Sequence, residues 1–121
     1  MKSNSQVILA LDSSDMPRTM EMIEKTKNYI GIYKLGLEFY LAQGKEGVEK
    51  IQASFSDIEI FLDLKLHDIS NTVAGACRSI ADLSPRFLTV HASGGSKMIV
   101  AASSSLPKVE ITAVTILTSL D

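Results

Sequence analysis

Three charged residues, Asp63, Lys65 and Asp68, stand within six positions in the run Phe61-Leu62-Asp63-Leu64-Lys65-Leu66-His67-Asp68. An ammonium flanked by carboxylates is favoured in its charged form, and when fixed in place it can stabilise and then protonate a carbanion. Strand side chains repeat their direction every two residues, which predicts Asp63 and Lys65 on one face and Leu62, Leu64 and Leu66 on the other. Asp68 falls just past the strand end, where the chain turns toward a helix. Charges at a strand terminus lose solvation unless each has a partner, so the alternation reads as chemistry before stability.

Short apolar runs must position this set. Val7–Leu11 reads as a buried strand ending at Asp12. Ser13, Ser14 and Asp15 offer capping oxygens, and Pro17 suits a first helical turn. The helix expected over Met20–Tyr29 carries Met20, Ile23 and Lys27 at helical spacing, and Gly31 should stop it. Ile32–Gly36 is the second strand, followed by a loop and then a helix bearing Val48 and Ile51. Ile58–Leu66 is the third strand, with Asn71–Leu83 as its helix and Pro85 as the break. Arg86–His91 is the fourth strand, with a glycine turn at Gly94-Gly95 and a helix over Ser96–Ser104. Ile111–Ile116, rich in β-branched residues, is the fifth.

Strand starts about 25 residues apart fit one strand plus one crossover helix. Strands apolar on both faces imply a parallel sheet covered by helices, either an open doubly wound sheet or a (β/α) barrel. Asp12, Lys34, Asp63, Lys65, His91 and Thr118 all fall at or near carboxyl ends of strands, the face that carries barrel active sites. No Gly-x-Gly-x-x-Gly follows the first strand, which disfavours dinucleotide binding. The fold class expected is therefore α/β, of the TIM-type (β/α)8 barrel family. A closed barrel needs eight units, roughly 200 residues or more. Residues 1–121 are accordingly read as a single partial domain, about the first four βα units plus the fifth strand, produced by truncation, proteolysis or a split gene.

A formal net charge of −2 gives no basic footprint for nucleic acid. A single cysteine, Cys77, fits a reducing compartment and reads as a small buried helix residue. The polar start, Met1–Gln6, lacks a signal-peptide core, and no apolar stretch approaches a membrane span. A soluble cytoplasmic chain is expected.

Five segments in order resemble the orotidine 5′-phosphate decarboxylase family. They are Leu9-Ala10-Leu11-Asp12, Tyr33-Lys34-Leu35-Gly36, Phe61 to Ile69, Val90-His91-Ala92-Ser93-Gly94-Gly95 and Ala113 to Ser119. A wider set of magnesium-dependent sugar-phosphate decarboxylases and synthases shares Asp-x-Lys-x-x-Asp. Leu66-His67-Asp68-Ile69 and Leu117-Thr118-Ser119 look more like the orotidylate branch. The resemblance implies decarboxylation of orotidine 5′-monophosphate to uridine 5′-monophosphate in pyrimidine nucleotide synthesis, without a metal or other cofactor.

It also implies roles. Lys34, Asp63, Lys65 and Asp68 would form the charge array, with Lys65 delivering a proton to C6 of the pyrimidine as carbon dioxide leaves. Asp12 and Lys34 would contact ribose hydroxyls, Lys34 also tying Asp63 into the network. Thr118 or Ser119 would face the pyrimidine edge. Asp68, Ile69 and Thr72 would serve the neighbouring subunit's pocket in a homodimer.

Two features depart from the family pattern. Ser70 stands where the family has proline, and a helix-capping serine should do little harm there. The phosphate-gripping glutamine, glycines and arginine of the family fall outside this sequence, so the chain alone should be weakly active or inactive. The competing readings are a magnesium-dependent relative and a non-catalytic half-barrel that packs against a partner, since open strand edges invite pairing. A structural ion pair could explain Asp63 and Lys65 taken alone, and that reading is disfavoured once Asp12, Lys34 and Asp68 stand at neighbouring strand ends. His91 reads as a core histidine, His67 as carrying no catalytic role, and Gly94-Gly95 as turn chemistry. Met16, Met20, Met22, Met98 and Phe55 read as packing, Lys25 and Lys27 as a solvated face.

Overall fold

The computed structural model describes residues 4–115. Five strands follow one another in chain order across one sheet, and β1–β2, β2–β3 and β4–β5 pair parallel. Helices alternate with the strands, as the expected α/β reading requires. The chain divides into two compact units, Met1–Asp63 and Leu64–Asp121.

In the first unit, β1 (Asn4–Leu11) leads into α1 (Met16–Thr26). Asp15 is the N-cap, its Oδ2 accepting the Arg18 N–H at 2.9 Å, with Pro17 in the first turn. Met16, Thr19 and Ile23 recur at helical spacing and are the buried face, while Met22 is exposed rather than packed. The helix stops well before Gly31. The Thr26 hydroxyl donates to the Met22 carbonyl at 2.7 Å and shares a 2.7 Å hydrogen bond with the Tyr33 hydroxyl, and Lys27 caps the end. Gly31 instead lies buried in β2 (Ile30–Gly36).

Burial pushes the Tyr33 phenol above its ordinary value, and the Thr26 bond only partly opposes this. The unfolded chain therefore loses that proton first as pH rises. Stability linked to Tyr33 holds below about pH 10 and falls as pH climbs through the raised folded value. Urea midpoints measured from pH 8 upward should show this fall, and Tyr33→Phe should lessen it.

The loop expected after β2 is absent: α2 (Leu37–Ser54) starts directly after Gly36. The helix breaks at Gly44, where φ is 68° and ψ −172°. That backbone region is nearly exclusive to glycine, so Gly44→Ala should destabilise by about 1–3 kcal/mol in equilibrium unfolding. Gln43, just before the break, donates from Nε2 to the Ser14 carbonyl at 2.7 Å and ties α2 to the loop after β1.

The strand register aligns two rows in this unit. Leu11 pairs with Leu35 and Leu35 with Leu62 of β3 (Glu59–Leu66), all three buried. One step on, Gly36 pairs with Asp63, and Asp12 follows Leu11, the last residue of β1. An apolar row is thus followed at once by a polar one.

In the second unit, the helix expected over Asn71–Leu83 is two elements, α3 (Ser70–Ser79) and a short 3-10 turn, Ala81–Leu83. Ser70 is the first helical residue, not the cap; Ile69 holds the cap position without a side-chain bond. β4 (Phe87–His91) runs through another 3-10 turn, Ala92–Gly94, into α4 (Ser96–Ser105), and β5 spans Glu110–Val114. The expected last residue of that strand, Ile116, lies outside the described residues. Val73, Cys77, Leu83, Leu88, Val90, Met98 and Ala102 are buried. Burial raises the Cys77 thiol, with Arg78 opposing. Cys77 should therefore resist a thiol-disulfide reagent at pH 7 in the folded chain and react fully once denaturant unfolds it.

Candidate active site

Lys34 and Asp63 meet on the first unit. Lys34 pairs with Phe61 in register, two residues before Asp63, yet its Nζ reaches Asp63 Oδ2 at 3.6 Å. Their side chains are 31% and 12% exposed, so Asp63 is the more enclosed partner. Between Asp12 and Asp63 stands Gly36, where an added Cβ would meet nothing within 4 Å. The Asp12 and Asp63 backbones are thus about two strand spacings apart, roughly 10 Å, on either side of Gly36. Asp12 also lines a cavity of about 180 Å³ with Ser13, Arg18 and Thr19.

Lys65 follows Asp63 by two residues but not by simple alternation. Its φ is +49°, in the left-handed region, which redirects the chain where a regular strand would have kept its pleat. Burial alternates as expected from Ile60 through Leu64, and the left-handed residue follows at Lys65 within the same strand. The Lys65 N–H donates to Thr89 Oγ1 at 2.9 Å. Past the strand end, Asp68 Oδ1 accepts the Ile69 N–H at 2.7 Å. His67, Asp68, Ile69 and Ser70 then line an open cavity of about 670 Å³ with Ser93, Gly94 and Lys97. Ile69 is 71% exposed and Thr72 is exposed on α3.

His67 and His91 lie with ring centroids 5.2 Å apart and tilted by 37°. A Cβ at Gly94 would run into the end of the Met98 side chain, with His67 Cδ2 next at 3.4 Å, so glycine there admits both. The first unit therefore joins Lys34 to Asp63 and sets Asp12 in line. The second holds Lys65, Asp68, Ile69 and Thr72 on the segment from β3 into α3. Thr118 and Ser119 lie outside the described residues. Thr89 was not singled out from sequence, because a threonine inside a strand is ordinary β-former usage. Among the described residues, no three His, Cys, Asp or Glu side chains gather as a metal cluster.

The family profile for orotidine 5′-phosphate decarboxylase / HUMPS matches residues 5–121. The chain belongs to that family. It is 46% identical over 115 residues to an orotidine 5′-phosphate decarboxylase of Thermobifida fusca, covering 95% of this chain and 49% of the relative. To that of Novosphingobium aromaticivorans it is 44% identical over 119 residues, covering 98% and 52%. Among solved structures, orotidine 5′-phosphate decarboxylase from Lactobacillus acidophilus superposes with a TM-score of 0.84 at 34% identity, over 95% of this chain and 55% of that one. The Methanocaldococcus jannaschii enzyme, solved with the inhibitor BMP, gives 0.82 at 25% identity, over 90% and 51%. The chain spans about half the length of the curated relatives it matches. The strand–helix repeat is thus barrel architecture over about half of a barrel's length, and no helix among the described residues is long and apolar enough to cross a membrane.

Proposed function

We propose that this chain carries the charged centre of an orotidine 5′-monophosphate decarboxylase. The observation that supports it best is the enclosed Asp63, ion-paired to Lys34, on the strand that two residues later bears Lys65 in a left-handed backbone. Loss of carbon dioxide leaves an electron pair at C6 of the pyrimidine. The Lys65 ammonium lowers the energy of that developing charge and then gives C6 a proton, leaving the neutral amine to be reprotonated from solvent. Asp63 and Asp68 flank the ammonium and hold it in place, and Lys34 holds Asp63. Asp12 and Lys34 bind ribose hydroxyls, Thr118 and Ser119 face the pyrimidine, and no cofactor takes part.

Asp68, Ile69 and Thr72 serve a second subunit's pocket in a cytoplasmic homodimer. Phosphate contacts contribute binding energy that is used in the transition state, and turnover by residues 1–121 alone is weak. The site is tested by titrating the ¹⁵N-labelled chain with 6-hydroxyuridine 5′-monophosphate. Shifts should centre on Asp12, Lys34, Asp63 and Lys65; none at these residues at millimolar ligand would overturn the reading. A requirement for magnesium in turnover would favour the sugar-phosphate relatives instead.

A further inference from the structure

The backbone of Lys65 poses a question that its charge does not. A residue with a Cβ at φ +49° sits about 1–2 kcal/mol above the ordinary basins, and such a conformation persists only where the surroundings over-determine it. The surroundings on the second unit are specific. Thr89, 3% exposed in β4, accepts the Lys65 N–H on its hydroxyl at 2.9 Å. Two residues further along both strands, His91 meets His67 at 5.2 Å. Residues 89 and 91 of β4 thus meet Lys65 of β3 and His67 just past its end, side chain to backbone and ring to ring.

From this geometry we infer that Thr89 is the positioning residue of Lys65. A ladder carbonyl lies in the plane of the sheet and serves a pleated neighbour. A hydroxyl carried on Cβ stands off that plane and can take an N–H on a strand that has turned out of its pleat. Burial fixes the threonine's own rotamer, since its branched Cβ leaves few alternatives. The hydroxyl therefore holds the turn at Lys65, and the turn sets the direction from which the ammonium leaves the strand. Thr89 touches no reacting atom in this scheme; it acts through Lys65. The inference rests on the reading of Lys65 as proton donor.

The test compares Thr89→Val, which keeps shape and removes the acceptor, with Thr89→Ser, which keeps the acceptor. Three properties are read on the labelled 121-residue chain: exchange of the Lys65 amide with D₂O, its H<sub>N</sub>–Hα coupling as a report on φ, and acylation of the Lys65 amine relative to Lys97. Thr89→Val should speed Lys65 amide exchange roughly tenfold or more, as expected for a lost hydrogen bond of about 1.4 kcal/mol. It should also shift the coupling and alter Lys65 acylation, leaving the Leu88 and Val90 amides and Lys97 as they were. Thr89→Ser should match the parent in all three. Unchanged Lys65 exchange in the valine variant would overturn the role, as would an equal rise along all of β4, which marks a merely structural threonine. Should the valine variant not fold, a serine variant that loses Lys65 protection or shifts the coupling would overturn it equally. None of these readouts needs turnover. A failure here removes the positioning role alone, whereas a 6-hydroxyuridine nucleotide that leaves Lys65 unmoved removes the reading of the site.

Discussion

Lys65→Ala is expected to reduce formation of uridine 5′-monophosphate by about a thousandfold or more. General acid catalysis contributes about 10²- to 10⁴-fold, and a fixed charge beside developing charge about 10²- to 10³-fold. Lys65 would supply both, so its removal costs at least about 4 kcal/mol of transition-state stabilisation. The assay that suits slow turnover is single turnover, the 121-residue chain in excess over orotidine 5′-monophosphate, with product followed by mass spectrometry over days. A parent rate matched by the alanine variant would sink the assignment of Lys65, and a parent rate equal to that of a full-length enzyme would sink the expectation of weak activity.

A second comparison separates charge from backbone at the same position. In a regular strand glycine is less stable than alanine by roughly 0.5–1 kcal/mol. At φ +49° that order should invert, because glycine is at ease there and alanine is not. Lys65→Gly should therefore unfold at a urea concentration no lower than Lys65→Ala. The opposite order would mean that the left-handed turn is a property of lysine's contacts and not of the site.

The polar row was legible in the sequence because each member follows an apolar run. Asp12, Lys34 and Asp63 could be placed at or near strand ends from hydrophobic patterning alone, and the register then paired Gly36 with Asp63, with Asp12 directly after Leu11, the last paired residue of β1. What patterning could not express is a torsion angle. Nothing in Leu64-Lys65-Leu66 announces φ +49°, so alternation carried Lys65 onto a face by rule, and the Thr89 hydroxyl that meets its N–H went unnoticed. Helix ends failed for a related reason. Gly31 looked like a stop because glycine often is one, but the Thr26 hydroxyl had already bonded back to the Met22 carbonyl and across to Tyr33. The loop expected after β2 is instead the start of α2, which begins directly after Gly36 and breaks only at Gly44. Each miss is a geometry decided by a particular side-chain partner or by a single torsion, and periodicity records neither.

The apolar row beneath the charges sets the largest stability effect. Leu62 is 0% exposed and its register partner Leu35 is likewise fully buried, with Leu11 next in line. Leu62→Ala removes the lost transfer energy of the deleted carbons and leaves a cavity that a sheet interior closes poorly, together about 3 kcal/mol. Domains of this size have only about 5–15 kcal/mol in hand, so the variant should lose roughly 10–15 °C in Tm with an unchanged denaturant slope. The consequence reaches the site through one peptide bond. Asp63 follows Leu62 directly, and its ion pair with Lys34 depends on the strand being held where that leucine packs. At a temperature where the variant is still folded, Lys34 and Asp63 resonances should broaden or shift more in Leu62→Ala than in Leu88→Ala, a fully buried leucine of the second unit. Equal responses would show that the apolar row stabilises the fold without holding the charges in place.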